Sequence, residues 1–181
     1  MSETLERLFS PVTINTLTLK NRAVMPPMGT GYGNRDGRVS ERLVRYLERR
    51  ARGGVGLIIT EVCAVDPRGK GFPAEIGAWS DDHIPGLAAL AGAVHAAGAA
   101  VALQLHHAGR ETMKDFIGAM PEAPSDLPSA ILNQPCEAMS AERIGEVIAA
   151  YAEAARRARD AGFDAVEVHG AHGYLVCQFL S

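Results

Sequence analysis

Residues 163 to 181, FDAVEVHGAHGYLVCQFLS, hold the groups best suited to chemistry. An apolar run from Ala165 to Val168 is followed by His169, His172 and Tyr174, with Gly170 and Gly173 between them. The branched residues of the run are those of a buried strand. If the strand stops near Val168, the three side chains emerge together at its C-terminal end, where the glycines permit a tight bend. Two imidazoles can donate hydrogen bonds to one oxygen, and a phenol can pass a proton. A helix start with a histidine cap and a packed tyrosine is the structural alternative, and the stretch alone leaves both open. Elsewhere Gln104 ends an apolar run, and its amide offers a donor and an acceptor side by side, as the edge of a planar heterocycle requires. Glu61 is either a base or a carboxylate tied up by an arginine. Of the adjacent His106 and His107, only one can face the same side as Gln104. The histidines lack carboxylates or thiols at ligand spacing, so no metal is expected.

These residues need elements to position them. Residues 8–22 alternate apolar and polar on either side of Asn15-Thr16, a short hairpin. Ala23 to Met25 is a brief strand broken by Pro26-Pro27, and a polar loop follows. Ser40 caps a helix from Glu41 to about Arg52, with Leu43, Val44, Leu47 and Ala51 on one face and Gly53-Gly54 as its stop. Residues 55–60 are a buried strand ending in Glu61, Val62 and Cys63. A Gly- and Pro-containing loop leads to a helix with Leu87, Leu90, Ala91 and Val94 inward, terminated by Gly98. Ala99 to Leu105 is the next strand. Residues 110–139 carry no sustained period, and a loop of that length frames a site. Ser140 caps a long helix with Ile144, Val147, Ile148, Tyr151 and Ala155 inward, ending at Gly162.

Strands alternating with helices at this spacing specify an α/β fold with a parallel sheet. Pro26 to Gly29, Glu61 to Cys63, Gln104 to His107 and His169 to Tyr174 all fall where a strand yields to a loop. In a parallel β/α barrel that face carries the active site. GTGYG at 29–33 is not a dinucleotide fingerprint, because the last glycine of the pattern would fall at Asn34 and no helix opens there.

The chain has 181 residues, a formal charge of −3 and acids interleaved with bases, so neither nucleic acid nor a membrane is an expected partner. Three cysteines far apart form no CxxC pair, and a reducing cytoplasm is the expected location. No apolar run approaches membrane length.

Together LFSPVTI, LKNRAVMPPM, GVGLIITE, WSDDHIPG, QLHHAGR and AGFDAVEVHGAHGYLVCQFLS resemble the old yellow enzyme family, in its branch of enoate reductases, 2,4-dienoyl-CoA reductases and NADH:flavin oxidoreductases. The resemblance runs from about Leu8 to Ser181. It implies a (β/α)8 TIM barrel with FMN at its C-terminal face, taking hydride from NADH or NADPH and passing it to an α,β-unsaturated substrate. By this resemblance Pro26, Pro27 and Met28 match the segment beside the flavin, Val62 a residue lining it, and Gln104 the glutamine on its pyrimidine edge. His169 and His172 match the pair that holds the substrate oxygen, and Tyr174 the proton donor. Gly29 stands where many relatives carry a Cys or Thr side chain.

About four βα strands behind a hairpin cap are present, so the expectation is a single partial domain over residues 1–181, the N-terminal half of such a barrel. Iron–sulfur and FAD segments belong only to longer relatives. A half-barrel exposes the faces it would bury, which favours a homo-oligomer. The competing expectations are a non-catalytic half-barrel that needs a partner, and a barrel enzyme acting on a phosphorylated substrate.

Overall fold

The computed structural model describes residues 3–181. A helix α1 (Glu3–Phe9) precedes the hairpin β1 (Val12–Ile14) and β2 (Leu17–Leu19), whose turn places Asn15 at φ 52°. β3 (Val24–Met25), α2 (Glu41–Arg52), β4 (Leu57–Ala64) and the short β5 (Ile76–Gly77) follow. Next come α3 (Ile84–Ala96), β6 (Ala100–His106), α4 (Lys114–Ile117), β7 (Glu122–Ala123), β8 (Glu137–Ala138), α5 (Ala141–Asp160), β9 (Ala165–Val168) and α6 (Leu175–Leu180). The main sheet is parallel, in the order β3-β4-β6-β9, with β5 paired to β4.

Helix boundaries follow local chemistry. Ser40 accepts from the Leu43 N–H and Ser140 from the Arg143 N–H, each satisfying a free donor of a first turn. Gly54 at φ 104° and Gly162 at φ 86° turn the chain out of α2 and α5.

The two sides of the sheet bury different sets. Outward, Ile58, Cys63, Val101, Leu103 and Leu105 pack under α2, α3 and α5 against Leu43, Leu47, Leu87, Leu90 and Val94. Inward, Leu57 and Ala102 form a small second cluster with Leu19 of the hairpin. The hairpin therefore closes the N-terminal end of the inner face and leaves the C-terminal end open.

Four sequence expectations change. β4 runs on to Ala64, so Glu61 to Cys63 lie inside the strand rather than after it. β9 is not buried: Val166 and Val168 are 41% and 54% exposed, because β9 is the sheet's edge. In α5 the buried stripe is Val147, Ala154 and Ala158, whereas Ile148 is 66% exposed. Tyr151 and Ala155 pack against the core as expected, whereas Ile144 and Ile148 turn away from it; Ile144, Ile148 and Tyr151 line an apolar groove with Leu175, Val176 and Phe179 of α6. Finally, residues 110–139 contain α4, β7 and β8. No helix among the described residues is long and apolar enough to cross a membrane.

Candidate active site

A bulge in β4 aligns the inner face. Ile59 pairs with Ala102 and Val62 with Gln104, so β4 spends one more residue than β6 between the two pairings. Val62, rather than Glu61, is thereby level with Gln104. On its other side Gln104 is level with Glu167 of β9, and residues level in neighbouring strands share a face. His169 lies two positions beyond Glu167 and returns to that face. Pro27, Met28, Gly29, Val62, Phe72, Gln104, His169, His172 and Tyr174 line one cavity of about 210 Å³ at the C-terminal ends of the strands.

The arch from His169 to Tyr174 is pinned at both ends to the end of β6. The His169 N–H donates to the Leu105 carbonyl and the Leu175 N–H to the His107 carbonyl, each at 3.0 Å. The bend is made by His172 at φ 59° and Gly173 at φ 74°, whereas Gly170 does not adopt positive φ. A left-handed histidine is strained by about 1 kcal/mol or more. Gln178 of α6 braces it, donating to the Gly173 carbonyl at 2.5 Å and the Ala108 carbonyl at 3.2 Å. The site is thus held by a turn in which Tyr174 is the cap residue of α6 without a side-chain capping bond.

His169 Nδ1 accepts from the Ala171 N–H at 3.4 Å, and His169 Nε2 lies 3.3 Å from His172 Nδ1. A neutral His169 therefore carries its proton on Nε2 and donates it to His172, which leaves the His172 Nε2–H free to face the cavity's contents. Burial, with the nearby His106 and His172, lowers the His169 pKa to about 4. The Tyr174 ring stands 5.0 Å from His169. Its phenol is raised above its ordinary value by burial first, then by Glu75 and Glu111. Near neutral pH the site therefore offers a protonated phenol beside a neutral His169.

Gln104 donates one amide N–H to Glu167 Oε1 at 2.6 Å, leaving a second N–H and its carbonyl. Glu61 meets no arginine: Oε2 accepts from the Thr30 N–H at 2.7 Å and from the Thr30 hydroxyl. Glu61 is not among the residues that line the cavity. His106 and His107 are both buried on carboxylates, His106 Nδ1 at 2.7 Å from Glu75 and His107 Nε2 at 3.3 Å from Glu122, and neither lines the cavity. Pro26 is exposed and also lies outside the lining. Phe72, Glu75 and Glu167 were not singled out from the sequence. Glu167 was reachable, since strand alternation puts it on the face of His169; Phe72 and Glu75 sit in an aperiodic loop that offers no such signal. No group of three His, Cys, Asp or Glu side chains among the described residues is arranged to hold a metal.

Residues 7–181 match the NADH:flavin oxidoreductase / NADH oxidase family. An NADH oxidase of Thermoanaerobacter brockii is 46% identical over 176 residues, covering 96% of this chain and 27% of the relative. An NADPH dehydrogenase of Halalkalibacterium halodurans is 45% identical over 180 residues, covering 97% and 51%. The solved structure of a morphinone reductase superposes with a TM-score of 0.88 at 33% identity, over 96% of this chain and 50% of that one. The chain spans about half the length, or less, of the relatives it matches.

Proposed function

The chain belongs to the NADH:flavin oxidoreductase / NADH oxidase family and folds as the N-terminal part of its (β/α)8 barrel; from this we propose that it carries the substrate-activating half of an FMN-dependent alkene reductase. One observation carries the reading: His169, His172, Tyr174, Gln104 and Val62, scattered over the sequence, converge on one cavity.

The residues fit FMN. Pro27, Val62 and Phe72 supply apolar walls for a planar ring, and the free N–H and carbonyl of Gln104 suit an edge of alternating carbonyl and N–H groups. Met28 and Gly29 add to that wall; Pro26, outside the cavity, orients the segment. When bound, FMN supplies the hydride chemistry, recharged by NADH or NADPH.

The chain's own residues do the rest. The His172 Nε2–H is free to donate to the carbonyl oxygen of an α,β-unsaturated substrate, and His169 joins it when its proton swings from His172. Donors aimed at that oxygen stabilise the charge that develops there. Tyr174, kept protonated, delivers its phenolic proton to the carbon beside the carbonyl.

A second reading, favoured by the exposed Val24, Val166 and Val168 on the two edge strands, is that the half-sheet binds flavin only after another half-sheet completes it, from further chain or from a second copy. Anaerobic visible spectroscopy of the 181-residue chain with excess FMN tests both. A protein-bound flavin band that bleaches with NADH or NADPH and returns on adding an enone supports the first; a folded chain with only free flavin in the spectrum supports the second.

A further inference from the structure

One buried polar pair takes no part in the reaction as described. Glu75 and His106 are both completely buried, and His106 Nδ1 donates to Glu75 Oε1 at 2.7 Å. The second carboxylate oxygen accepts from the Gly71 N–H at 2.6 Å. With Nδ1 committed, His106 Nε2 is left buried without a partner among the described residues. Removing an imidazole and a carboxylate from water is costly, and apolar groups of the same shape would hold the loop as well.

What the pair adjoins supplies a reason. The His106 ring lies 4.4 Å from the Tyr174 ring at 90°, and 5.6 Å from that of His169. Glu75 belongs to the loop that contributes Phe72 to the cavity wall. Glu75 thus fixes the plane of His106, and the His106 ring stands perpendicular to the Tyr174 ring.

We propose that Glu75 and His106 are a positioning pair for Tyr174, holding its ring toward the cavity. The proposal rests on the reading of Tyr174 as the proton donor. The charged and titratable groups packed around Tyr174 are His169 from the arch, His106 from β6, Glu75 from the loop before β5 and Glu111 from the segment after β6. The Glu75 carboxylate opposes a phenolate, so its charge and the orientation it imposes act in one direction.

Glu75→Gln keeps the shape and the acceptor for His106 but removes the charge. In the 181-residue chain, Tyr174 is titrated by ultraviolet absorbance of the phenolate, with Tyr174→Phe subtracted to isolate it from the other three tyrosines. The expected result is a lower Tyr174 midpoint in Glu75→Gln than in the unsubstituted chain, which a purely packing role would not produce. An unchanged midpoint in a folded variant overturns the proposal. Nitrogen NMR of the unsubstituted chain provides a test that does not depend on the variant folding: His106 is expected to carry its proton on Nδ1, and a His106 protonated on Nε2 alone overturns the pairing. If Tyr174→Phe in the FMN-loaded protein reduces alkenes at full speed, the proton-donor reading fails while the titration result stands.

Discussion

His169 and His172 hydrogen-bond each other, Nε2 to Nδ1 at 3.3 Å, because the left-handed backbone at His172 folds its ring back onto the end of β9. The pair holds one proton between two rings and points the other outward. His169 Nδ1 can accept from the Ala171 N–H only while that ring is neutral.

That neutrality has a pH window. The folded His169 pKa of about 4 lies below the ordinary 6.5, so the unfolded chain binds the extra proton first. The stability from a neutral His169 is fully present above about pH 6.5 and is lost as pH falls toward 4, a change on the order of 2 kcal/mol. Urea unfolding at pH 7.5 and pH 5 is expected to show this slope in the unsubstituted chain and a shallower one in His169→Gln.

Glu122 joins the long loop to α5. Its carboxylate is 2.7 Å from Arg143 Nη2, 3.1 Å from Arg68 Nη1 and 3.3 Å from His107 Nε2. Burial alone would raise its pKa, but the hydrogen bonds from His107 and Arg143 outweigh it and bring the group to about 2. Glu122→Gln leaves these bases facing a neutral amide and is expected to cost about 2–3 kcal/mol at pH 7, read from the urea midpoint. The gap between the two proteins closes as pH falls from 4.5 toward 2, where Glu122 itself takes up a proton.

Tyr174→Phe in the FMN-loaded protein is expected to slow the alkene half-reaction by about 10²-fold or more, while flavin reduction by NADH or NADPH keeps its rate. Stopped-flow spectroscopy separates the two half-reactions. Equal losses in both would remove Tyr174 from the proton-transfer role.

Gly77 leaves room for the only tryptophan. A Cβ there would stand 1.9 Å from Trp79 Cζ3, and one at Gly37 would stand 2.2 Å from Trp79 Cη2. Gly77→Ala must push the indole off His83, whose ring centroid lies 4.5 Å away. The expected loss is about 1–3 kcal/mol, accompanied by a red shift of tryptophan fluorescence in the folded state.

Much of the architecture was legible in the chain because its causes are local. Ser40 and Ser140 cap the helices they were expected to cap, and Leu87, Leu90, Ala91 and Val94 form the inner face of α3 as their spacing requires. The alternation on either side of Asn15-Thr16 is the hairpin. Burial was read less well. Branched residues in β9 suggested an interior strand, yet Val168 is exposed, since strand composition reports what a segment could bury and not what lies beside it.

By itself the sequence determined the alternating elements and their caps, and it marked four strand ends as the place for chemistry, because helix and strand periods and capping are decided within a few residues. Tertiary structure decided which of the marked groups meet. The β4 bulge brought Val62 level with Gln104 and turned Glu61 to Thr30. His106 found Glu75 across 31 positions, and Gln104 found Glu167 across 63. Those pairings depend on strand register and loop path, which arise only when distant segments pack, and no local pattern along the chain encodes them.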